Sequence, residues 1–439
     1  MPEAIVIGAG PAGLASAAML QRVGVETLVV DRADSVGHSW RGHYDRLRLH
    51  TVRWLSHLPG FRIPRRCGRW VARDDVVRYL EAYAVRHGLE IRLGTAVDRI
   101  DRDGDRWRVR TSTGDLDAAY VVVATGHNHT PVLPDWPGAE GFTGELLHAS
   151  AYRTGAAYAG RSVLVVGSGN TGTEIAVDLV DNGAADVAIS VRTPPHIVLR
   201  EKYGVPSLAL GVLFRRLPVK LFDRIAAAMR RIDIGDLSAY GLPTPADGLY
   251  ERLLRDDSVP IVDVGFLDAL KSGRITVVPA VEAFEGDHVL LADGSVRRAD
   301  VVVAATGYRR GLDGLVGHLG VLDPTGRPTV RGAATHPGAP KLWFTGYTNP
   351  ISGMFRELGI DAKRIARAVV RDRALRAAAA ARPGPASAPA PRAPETLPPA
   401  LETLPASPEP LPPVRVSPVL DALRATLPTV MPAKQAWRR

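Results

Sequence analysis

The sequence contains one cysteine, Cys67, among its 439 residues. A single cysteine excludes an internal disulfide and is typical of a protein from the reducing cytoplasm. It also excludes an active site built on a pair of thiols. We therefore expect a cytoplasmic protein whose chemistry does not depend on a dithiol.

Long apolar runs and blocks of like charge are also missing. No stretch reaches the roughly 18 apolar residues of a transmembrane helix, so no transmembrane segment is expected. The formal net charge of +9 comes from dispersed basic residues, which argues against nucleic acid as a partner. The apolar N-terminus lacks a basic leading region and contains glycines, so we interpret it as a buried strand and not as a signal peptide.

The composition changes near the C-terminus. Residues 1–375 alternate between strand and helix patterns, as in an α/β protein. From Arg382 onward proline is frequent and is mixed with alanine, serine and glutamate, which predicts a disordered tail with an unknown partner. Within that tail, residues 419–426 are predicted to form a short amphipathic helix.

A glycine-rich turn lies close to the N-terminus. The predicted strand at residues 4–7 is followed by a G-x-G-x-x-G pattern and a predicted helix over residues 11–22. Its glycines allow a tight turn, a close approach of the backbone to a pyrophosphate, and close packing of helix against strand. The free N–H groups at the start of the helix favour phosphate. The next predicted strand, residues 25–30, ends at Asp31, which suits the ribose hydroxyls of FAD or NAD and repels a 2′-phosphate.

The same pattern recurs in the middle of the chain. A predicted strand over residues 162–166 precedes a second G-x-G-x-x-G pattern and a helix that extends to about Asn182. The next predicted strand, residues 187–191, ends at Arg192, and a guanidinium can bind a 2′-phosphate with two hydrogen bonds. This site is therefore expected to bind NADPH. Arg200 and Lys202 either assist there or belong to the solvated surface.

Two further strands end in Thr-Gly, at Thr125–Gly126 and Thr306–Gly307. Each is either a strand that returns the chain between two domains beside a cofactor, or an ordinary buried strand with a turn glycine. Near the C-terminus, a strand and a turn lead into a helix that is expected to begin near Ser352. The positive end of that helix could stabilise reduced flavin.

The residues between the two glycine patterns resemble an identifying motif of the class B flavin-containing monooxygenases. Phe142, Gly144, His148 and Tyr152 match F-x-G-x-x-x-H-x-x-x-[FY] in full. Within that family the chain is most similar to the plant YUCCA-type indole-3-pyruvate monooxygenases. The resemblance covers about residues 3–370.

The resemblance implies an α/β fold with two Rossmann-like dinucleotide-binding domains, in which an NADPH domain is inserted into an FAD domain. We expect the first part of the FAD domain at residues 1–150, the NADPH domain at 151–305, the second part of the FAD domain at 306–378, and the Pro/Ala-rich disordered tail at 379–439. The residues expected to bind the two cofactors are Gly8, Gly10, Pro11, Ala12, Gly13, Asp31, Arg32, Trp40, Thr125, Gly126, Gly167, Gly169, Asn170, Thr171, Gly172, Arg192, Thr306 and Gly307.

The expected catalytic residues are His50, His148 and Asn349. His50 stands where animal-type members have an active-site asparagine, and plant-type members share this departure. His148 either couples movement of NADPH to the flavin chemistry or is purely structural. No metal site is expected.

The implied function is that of an FAD- and NADPH-dependent monooxygenase, which forms a hydroperoxyflavin and transfers one oxygen atom of dioxygen to a small organic molecule. An α-keto acid such as indole-3-pyruvate, with decarboxylation, is one expected substrate. N- or S-oxygenation and NADPH-dependent electron transfer remain alternatives. Arg53, Arg309 and Arg356 are candidate partners for a substrate carboxylate. The apolar segment at residues 206–222 either lines a substrate entrance, lies on a membrane or packs in the core.

Overall fold

The protein is built around two parallel sheets. The computed structural model describes residues 1–214 and 217–381. All strands of the first sheet are parallel, and their apolar side chains are buried on both faces because layers of structure cover each face. In spatial order the strands are Leu342–Phe344, Tyr120–Val123, Ala4–Ile7, Thr27–Val30 and Glu90–Arg92.

Helices cover one face of the first sheet. We call Pro11–Arg22 the first glycine helix and Met354–Ala380 the C-terminal helix; these two pack against each other, and Arg73–His87 joins them in the same core. The first glycine helix begins at Pro11, as predicted, because proline fits the first helical position. The C-terminal helix begins at Met354, two residues later than expected, after Gly353 at φ +93°.

A small antiparallel sheet covers the opposite face. Ile100 and Trp107 from this sheet lie in one core cluster with Ile5 of the first sheet. The Trp107 Nε1–H also donates to the carbonyl of Pro340 at 3.0 Å, so this layer is tied to the chain just before the last strand of the first sheet. The strands are Val97–Asp103, Arg106–Thr111 and Leu116–Ala118.

The second sheet is also parallel throughout. In spatial order its strands are Thr276–Val278, Asp186–Ser190, Ser162–Val166, Val301–Ala304 and Glu145–His148. The edge strand Glu145–His148 differs from the sequence-based division, which places it in the first part of the FAD domain. It pairs with Val301–Ala304, so the boundary expected at residue 150 falls after a strand that already belongs to the second sheet.

The second sheet is covered in the same way as the first. Asn170–Asp181, which we call the second glycine helix, and Phe266–Lys271 pack on one face. An antiparallel sheet made of Val281–Glu285, His288–Leu291 and Val296–Arg298 packs on the other.

Between Ser190 and the next strand of the second sheet, the chain forms an insertion of short strands and helices. One helix ends at Phe214, and the next begins at Val219, directly after Pro218. The strands are Ile197–Leu199, Glu201–Lys202, Val205–Pro206 and Ile261–Asp263, and the helices are Ser207–Phe214, Val219–Asp233 and Leu249–Asp256. The remaining short elements are strands Thr130–Pro131 and Tyr308–Arg309 and helices His38–Arg41 and Asp313–Val316.

No helix within the described ranges, 1–214 and 217–381, is long and apolar enough to cross a membrane. The tail and the helix predicted at residues 419–426 lie outside those ranges.

Candidate functional site

The backbone of the first glycine turn is so tightly packed that two of its glycines have no room for a side chain. Gly8 has φ +112°, a conformation that favours glycine, and a Cβ added to it would overlap the carbonyl oxygen of Ala124. A Cβ on Gly13 would overlap the carbonyl oxygen of Gly8. Gly8 and Gly13 are therefore required for the turn itself, because strand and helix approach too closely for any side chain.

Gly10 is different because it faces open space. Its φ of −84° and ψ of −177° are accessible to any residue, and a Cβ would have no atom of the described protein within 4 Å. No side chain of the described residues caps the first glycine helix. The N–H groups of Ala12 and Gly13 in its first turn are therefore open to a ligand. Free helix N–H groups beside an open space fit a pyrophosphate.

Asp31 is positioned by the backbone beside this turn. Its Oδ2 accepts the N–H of Ala9 at 2.6 Å, and its Oδ1 accepts the N–H of Ala33 at 2.8 Å. Each carboxylate oxygen retains a second lone pair for a ribose hydroxyl. Arg32 is exposed next to it.

The remaining residues predicted at the first site come from two other segments. The Trp40 ring packs edge-on against Phe355 of the C-terminal helix, with ring centroids 5.7 Å apart. Thr125 follows the strand beside Ala4–Ile7, and its hydroxyl lies 2.8 Å from the Tyr347 hydroxyl. Gly126 has φ +93°. Gly8, Asp31 and Thr125 all follow the carboxyl ends of neighbouring parallel strands, which is where ligands bind in such sheets.

The second glycine turn repeats the first. Gly167 also has φ +112°, and its Cβ would meet the carbonyl oxygen of Ala305. A Cβ on Gly172 would overlap the carbonyl oxygen of Gly167, and Gly169 has no described protein atom within 4 Å of its Cβ position. The second turn thus leaves the same space open for a phosphate at the start of an uncapped helix.

The other residues predicted at the second site differ in their surroundings. Arg192 is exposed two residues beyond the strand Asp186–Ser190, and half-buried Thr171 lies in the first turn of the second glycine helix. The Asn170 amide group is already engaged: its Nδ2 donates to the Pro260 carbonyl and its Oδ1 accepts the Val262 N–H. Its side chain therefore holds the second glycine helix against the strand Ile261–Asp263.

His148 is fully hydrogen-bonded at the end of the edge strand. The backbone N–H of Ser150 donates to its Nδ1 at 3.1 Å, so Nε2 carries the proton and donates to the carbonyl of Gly307 at 3.1 Å. Burial lowers the pKa of His148. Gly307 has φ +86°, and Thr306 donates to the carbonyl of Val132. His148 thus fixes the second Thr-Gly turn.

The other motif residues, Phe142, Gly144 and Tyr152, pack around elements of the second half. Phe142 packs edge-on against Phe284 at 5.0 Å, and a Cβ on Gly144 would lie 2.8 Å from the Asp300 carbonyl oxygen. The buried Tyr152 hydroxyl donates to Asp178 Oδ2 at 2.7 Å. Burial and the neighbouring Asp178 raise the pKa of Tyr152.

His50 lies in a cleft that contacts both halves of the protein. Its Nε2 is 2.6 Å from Oε1 of Glu174, a buried carboxylate in the second glycine helix. The cleft has a volume of about 320 Å³ and is lined by Asp45, Arg46, Arg48, His50, Ala72, Glu174, Arg200 and Val264. Nearby, burial and the charges of Arg153 and Arg73 lower the pKa of His43 to about 4, and burial with Glu174 raises that of Tyr44.

Asn349 has polar contacts of its own. Its Nδ2 lies 3.3 Å from the Asp257 carbonyl oxygen and 3.3 Å from His127 Nε2. Within the described ranges, His50, His148 and Asn349 make no direct hydrogen bond with one another. Glu174 and Asp257 were missed by sequence reasoning, because nothing in the local sequence signals that either lies beside a predicted site residue.

An apolar cavity lies beside the segment at residues 206–222. Its volume is about 460 Å³, and its apolar lining includes Leu199, Leu208, Phe222 and Ile351. Leu208 and Phe222 thus belong to the cavity lining, which is compatible with a substrate entrance, one of the three alternatives for this segment.

Comparisons with known proteins match this architecture. A family described as pyridine nucleotide-disulphide oxidoreductase matches residues 5–204. Indole-3-pyruvate monooxygenase YUCCA1 of Oryza sativa subsp. japonica is 39% identical over 314 residues, which is 70% of this chain and 77% of the relative. The chain belongs to the class B flavin-containing monooxygenases. A probable indole-3-pyruvate monooxygenase, YUCCA9 of Arabidopsis thaliana, is 34% identical over 353 residues, 78% of this chain and 84% of the relative.

Solved structures of flavin-containing monooxygenases agree. A variant of the flavin monooxygenase from Stenotrophomonas maltophilia has a TM-score of 0.65 and 26% identity, covering 86% of this chain and 99% of that protein. Cyclohexanone monooxygenase from Rhodococcus sp. Phi1, at 20% identity and a TM-score of 0.63, shares the fold over 85% of each chain. FAD and NADPH are the cofactors of this flavin-containing monooxygenase, and the open spaces at Gly10 and Gly169 fit their phosphates.

Proposed function

We propose that this flavin-containing monooxygenase oxygenates an α-keto acid of the indole-3-pyruvate type and releases its carboxyl group as CO₂. The similarity to YUCCA1 of Oryza sativa, over 77% of that protein, carries the proposal. The balanced reaction consumes the keto acid, O₂, NADPH and one proton, and gives the carboxylic acid shortened by one carbon, CO₂, NADP⁺ and water. The location of His50 in a cleft that contacts both halves supports this proposal.

The cofactors would be held by the two glycine turns. Gly10 and the first glycine helix would bind the FAD pyrophosphate, with Asp31 on the ribose, and Trp40, Thr125 and Gly126 would border the same cofactor. When bound, NADPH supplies the hydride and FAD supplies the activation of dioxygen.

The second turn would bind NADPH through Gly169 and its helix. Arg192 is exposed at the position where a guanidinium can take the 2′-phosphate. Thr306 and Gly307 would border this cofactor, and His148 would hold their turn in place through its bond to the Gly307 carbonyl.

His50 and Asn349 are the residues of this chain that we propose to act beside the reacting atoms. His50 is half-buried, and its orientation is fixed by Glu174, so it presents a defined hydrogen-bonding group to the cleft. The NADPH requirement and the single cysteine support a cytoplasmic location.

The proposal is tested with purified protein, NADPH and ¹⁸O₂. With indole-3-pyruvate, we expect indole-3-acetate with one ¹⁸O atom and CO₂ in equal amounts, each matched to the NADPH consumed. Parallel reactions use a tertiary amine, a sulfide and an artificial electron acceptor. Hydrogen peroxide as the only oxygen product with the keto acid, together with an N-oxide or S-oxide from the other substrates, would overturn the keto-acid proposal. Rapid reduction of the acceptor alone would indicate an electron-transfer reductase.

A further inference from the structure

The cleft that contains His50 holds more positive than negative charge. Of its charged side chains, Arg46 is paired with Asp181 at 2.8 Å. Asp45 is paired with Arg73 at 2.6 Å, and Glu174 is engaged by His50. These pairings account for both carboxylates of the lining and for one of its three arginines.

The other two arginines, Arg48 and Arg200, have no carboxylate partner within residues 1–214 and 217–381. Arg48 Nη1 donates to the carbonyl of Trp70 at 3.2 Å. The Arg200 guanidinium lies over the Trp70 ring, 4.8 Å from its centroid. One tryptophan, through its backbone and its ring, thus positions both guanidinium groups beside the same cleft.

The two guanidinium groups are close enough to repel each other. Burial lowers the pKa of Arg200, and the charge of Arg48 lowers it further, although Glu201 and Glu174 act in the opposite direction. Two unpaired like charges at one cavity are costly without an anion. An anion that enters the cleft would remove this repulsion, and a carboxylate matches the planar fork of a guanidinium.

The three arginines that the sequence suggested as partners for a substrate carboxylate lie outside this cleft. Arg53 donates to the carbonyls of Gly68 and Ile63, and Arg356 pairs with Glu357. Arg309 is exposed on a short strand. None of the three lines the cleft, whereas Arg48 and Arg200 share it with His50.

We propose that Arg48 and Arg200 bind the carboxylate of the substrate and hold its keto group toward His50. This inference rests on the proposed function, because it assigns the carboxylate-binding part of the same site. It predicts a substrate class: organic acids with a carboxylate next to the reacting carbonyl are accepted, and neutral esters of the same shape are discriminated against. A phosphate of NADPH is the other anion that could enter the cleft, and the experiment separates the two.

The experiment measures equilibrium binding to the FAD-loaded protein with NADP⁺ present, by the change in flavin absorbance. The ligands are indole-3-pyruvate and its methyl ester, and the proteins are wild type, Arg48→Gln, Arg200→Gln and the double variant. We expect each single variant to raise the Kd for the acid roughly tenfold or more, since a charged hydrogen bond is lost. The Kd for the ester is expected to stay unchanged, so the preference for the acid disappears.

Arg86→Gln is the matched control. Arg86 also stacks on an aromatic ring, 5.4 Å from the centroid of Phe61, but it does not line the cleft. We expect its Kd for the acid to equal that of the wild type. The far-ultraviolet circular dichroism and FAD content of every variant show whether the fold is intact.

The remaining results decide between the anions. Binding of NADP⁺ alone to each protein is measured in the same way. A normal Kd for the acid with a raised Kd for NADP⁺ in Arg200→Gln would overturn the proposal and assign the arginines to the nucleotide. Unchanged binding of both ligands would also overturn it. Acid-selective binding that is lost in the variants, in a protein that never oxygenates a keto acid, would refute the proposed function and leave the carboxylate site in place.

Discussion

His50 and Glu174 are 124 residues apart in sequence, yet His50 Nε2 lies 2.6 Å from Glu174 Oε1. His50 lies in the first half of the protein, between the strand Thr27–Val30 and the helix Arg73–His87. Glu174 lies in the second glycine helix, so this bond connects the two nucleotide-binding halves. Glu174 is only 3% exposed, so its carboxylate needs hydrogen-bond partners within the protein. The bond therefore fixes both the orientation of His50 and the shape of the cleft.

Replacing Glu174 tests this positioning role. Glu174→Ala frees the His50 ring, and we expect the product formed per NADPH consumed to fall roughly tenfold, with hydrogen peroxide making up the difference. Glu174→Gln keeps an oxygen that can accept a hydrogen bond, so it should restore most of the coupling. The measurement is the ratio of product to NADPH at unchanged FAD content. Equal coupling in the two variants would contradict the role.

Substitutions at the two open glycines are expected to impair cofactor binding without preventing folding. Gly10 and Gly169 have backbone angles that any residue adopts, and no described protein atom lies near their Cβ positions. Gly10→Val should therefore fold but purify without bound flavin, and Gly169→Val should purify yellow but bind NADPH weakly. Gly13→Ala is the contrasting variant, because its Cβ overlaps the backbone and should prevent stable folding. Absorbance at the flavin bands and circular dichroism distinguish these outcomes, and a yellow Gly10→Val protein would contradict the assignment.

Arg192 is expected to select NADPH over NADH. Arg192→Gln removes a charged hydrogen bond to the 2′-phosphate, which corresponds to about 1.5–3 kcal/mol, or roughly a 10- to 100-fold loss in kcat/KM for NADPH. NADH has no 2′-phosphate, so its kcat/KM should be unaffected and serves as the internal control. Steady-state kinetics with both nucleotides measures the ratio. An equal loss for both nucleotides would place Arg192 outside the phosphate site.

The hydroxyl of Tyr152 is expected to contribute to stability. Tyr152→Phe deprives the mostly buried Asp178 of one donor, although the Gly155 N–H still donates to it at 2.8 Å. We expect the free energy of unfolding to fall by about 1–3 kcal/mol in urea denaturation. Tyr158→Phe is the control, because its ring stacks on Tyr152 while its hydroxyl faces the exposed Glu145. An equal decrease in the free energy of unfolding in the two variants would show that the hydrogen bond to Asp178 does not contribute to stability.

His43 gives stability a pH dependence. Its folded pKa is about 4 against an ordinary 6.5. As the pH falls through this interval, the unfolded chain binds a proton that the folded protein does not, so the free energy of unfolding decreases. Above the ordinary pKa no stability is lost, and the loss reaches about 3 kcal/mol by the lower end of the interval.

The variant His43→Gln should remove this dependence. Urea unfolding of wild type and variant between about pH 4 and 7 should give curves that converge as the pH falls. Parallel profiles for the wild type and His43→Gln would refute the prediction.

The sequence was sufficient where short-range geometry decides the structure. The first glycine helix, Pro11–Arg22, has its predicted ends, and the strand Ser162–Val166 also matches. Both predictions depended on a few neighbouring residues: glycines that permit a turn, a proline at the first helical position, and an apolar run before them. The family resemblance was carried by equally local motifs and is confirmed by the relatives.

Contacts between residues far apart in the chain could not be predicted from the sequence. The strand Glu145–His148 pairs with Val301–Ala304, which lies 156 residues later in the chain (301 − 145), and no local pattern specifies which sheet an edge strand joins. The same limit applies to Arg200, which the sequence places near Arg192 but the fold turns toward His50. The contacts of the predicted catalytic residues were equally out of reach, because no local pattern shows that Asn349 lies within hydrogen-bonding distance of His127 and Asp257.

The two glycine turns share one backbone geometry. Gly8 and Gly167 have the same φ of +112°, and each is packed against the alanine that precedes a Thr-Gly pair. Because each turn rests on the strand that carries a Thr-Gly pair, a shift of that strand would displace the phosphate-binding turn beside it. The two cofactors would thus be held by turns of the same shape on separate sheets, each coupled to its own Thr-Gly strand.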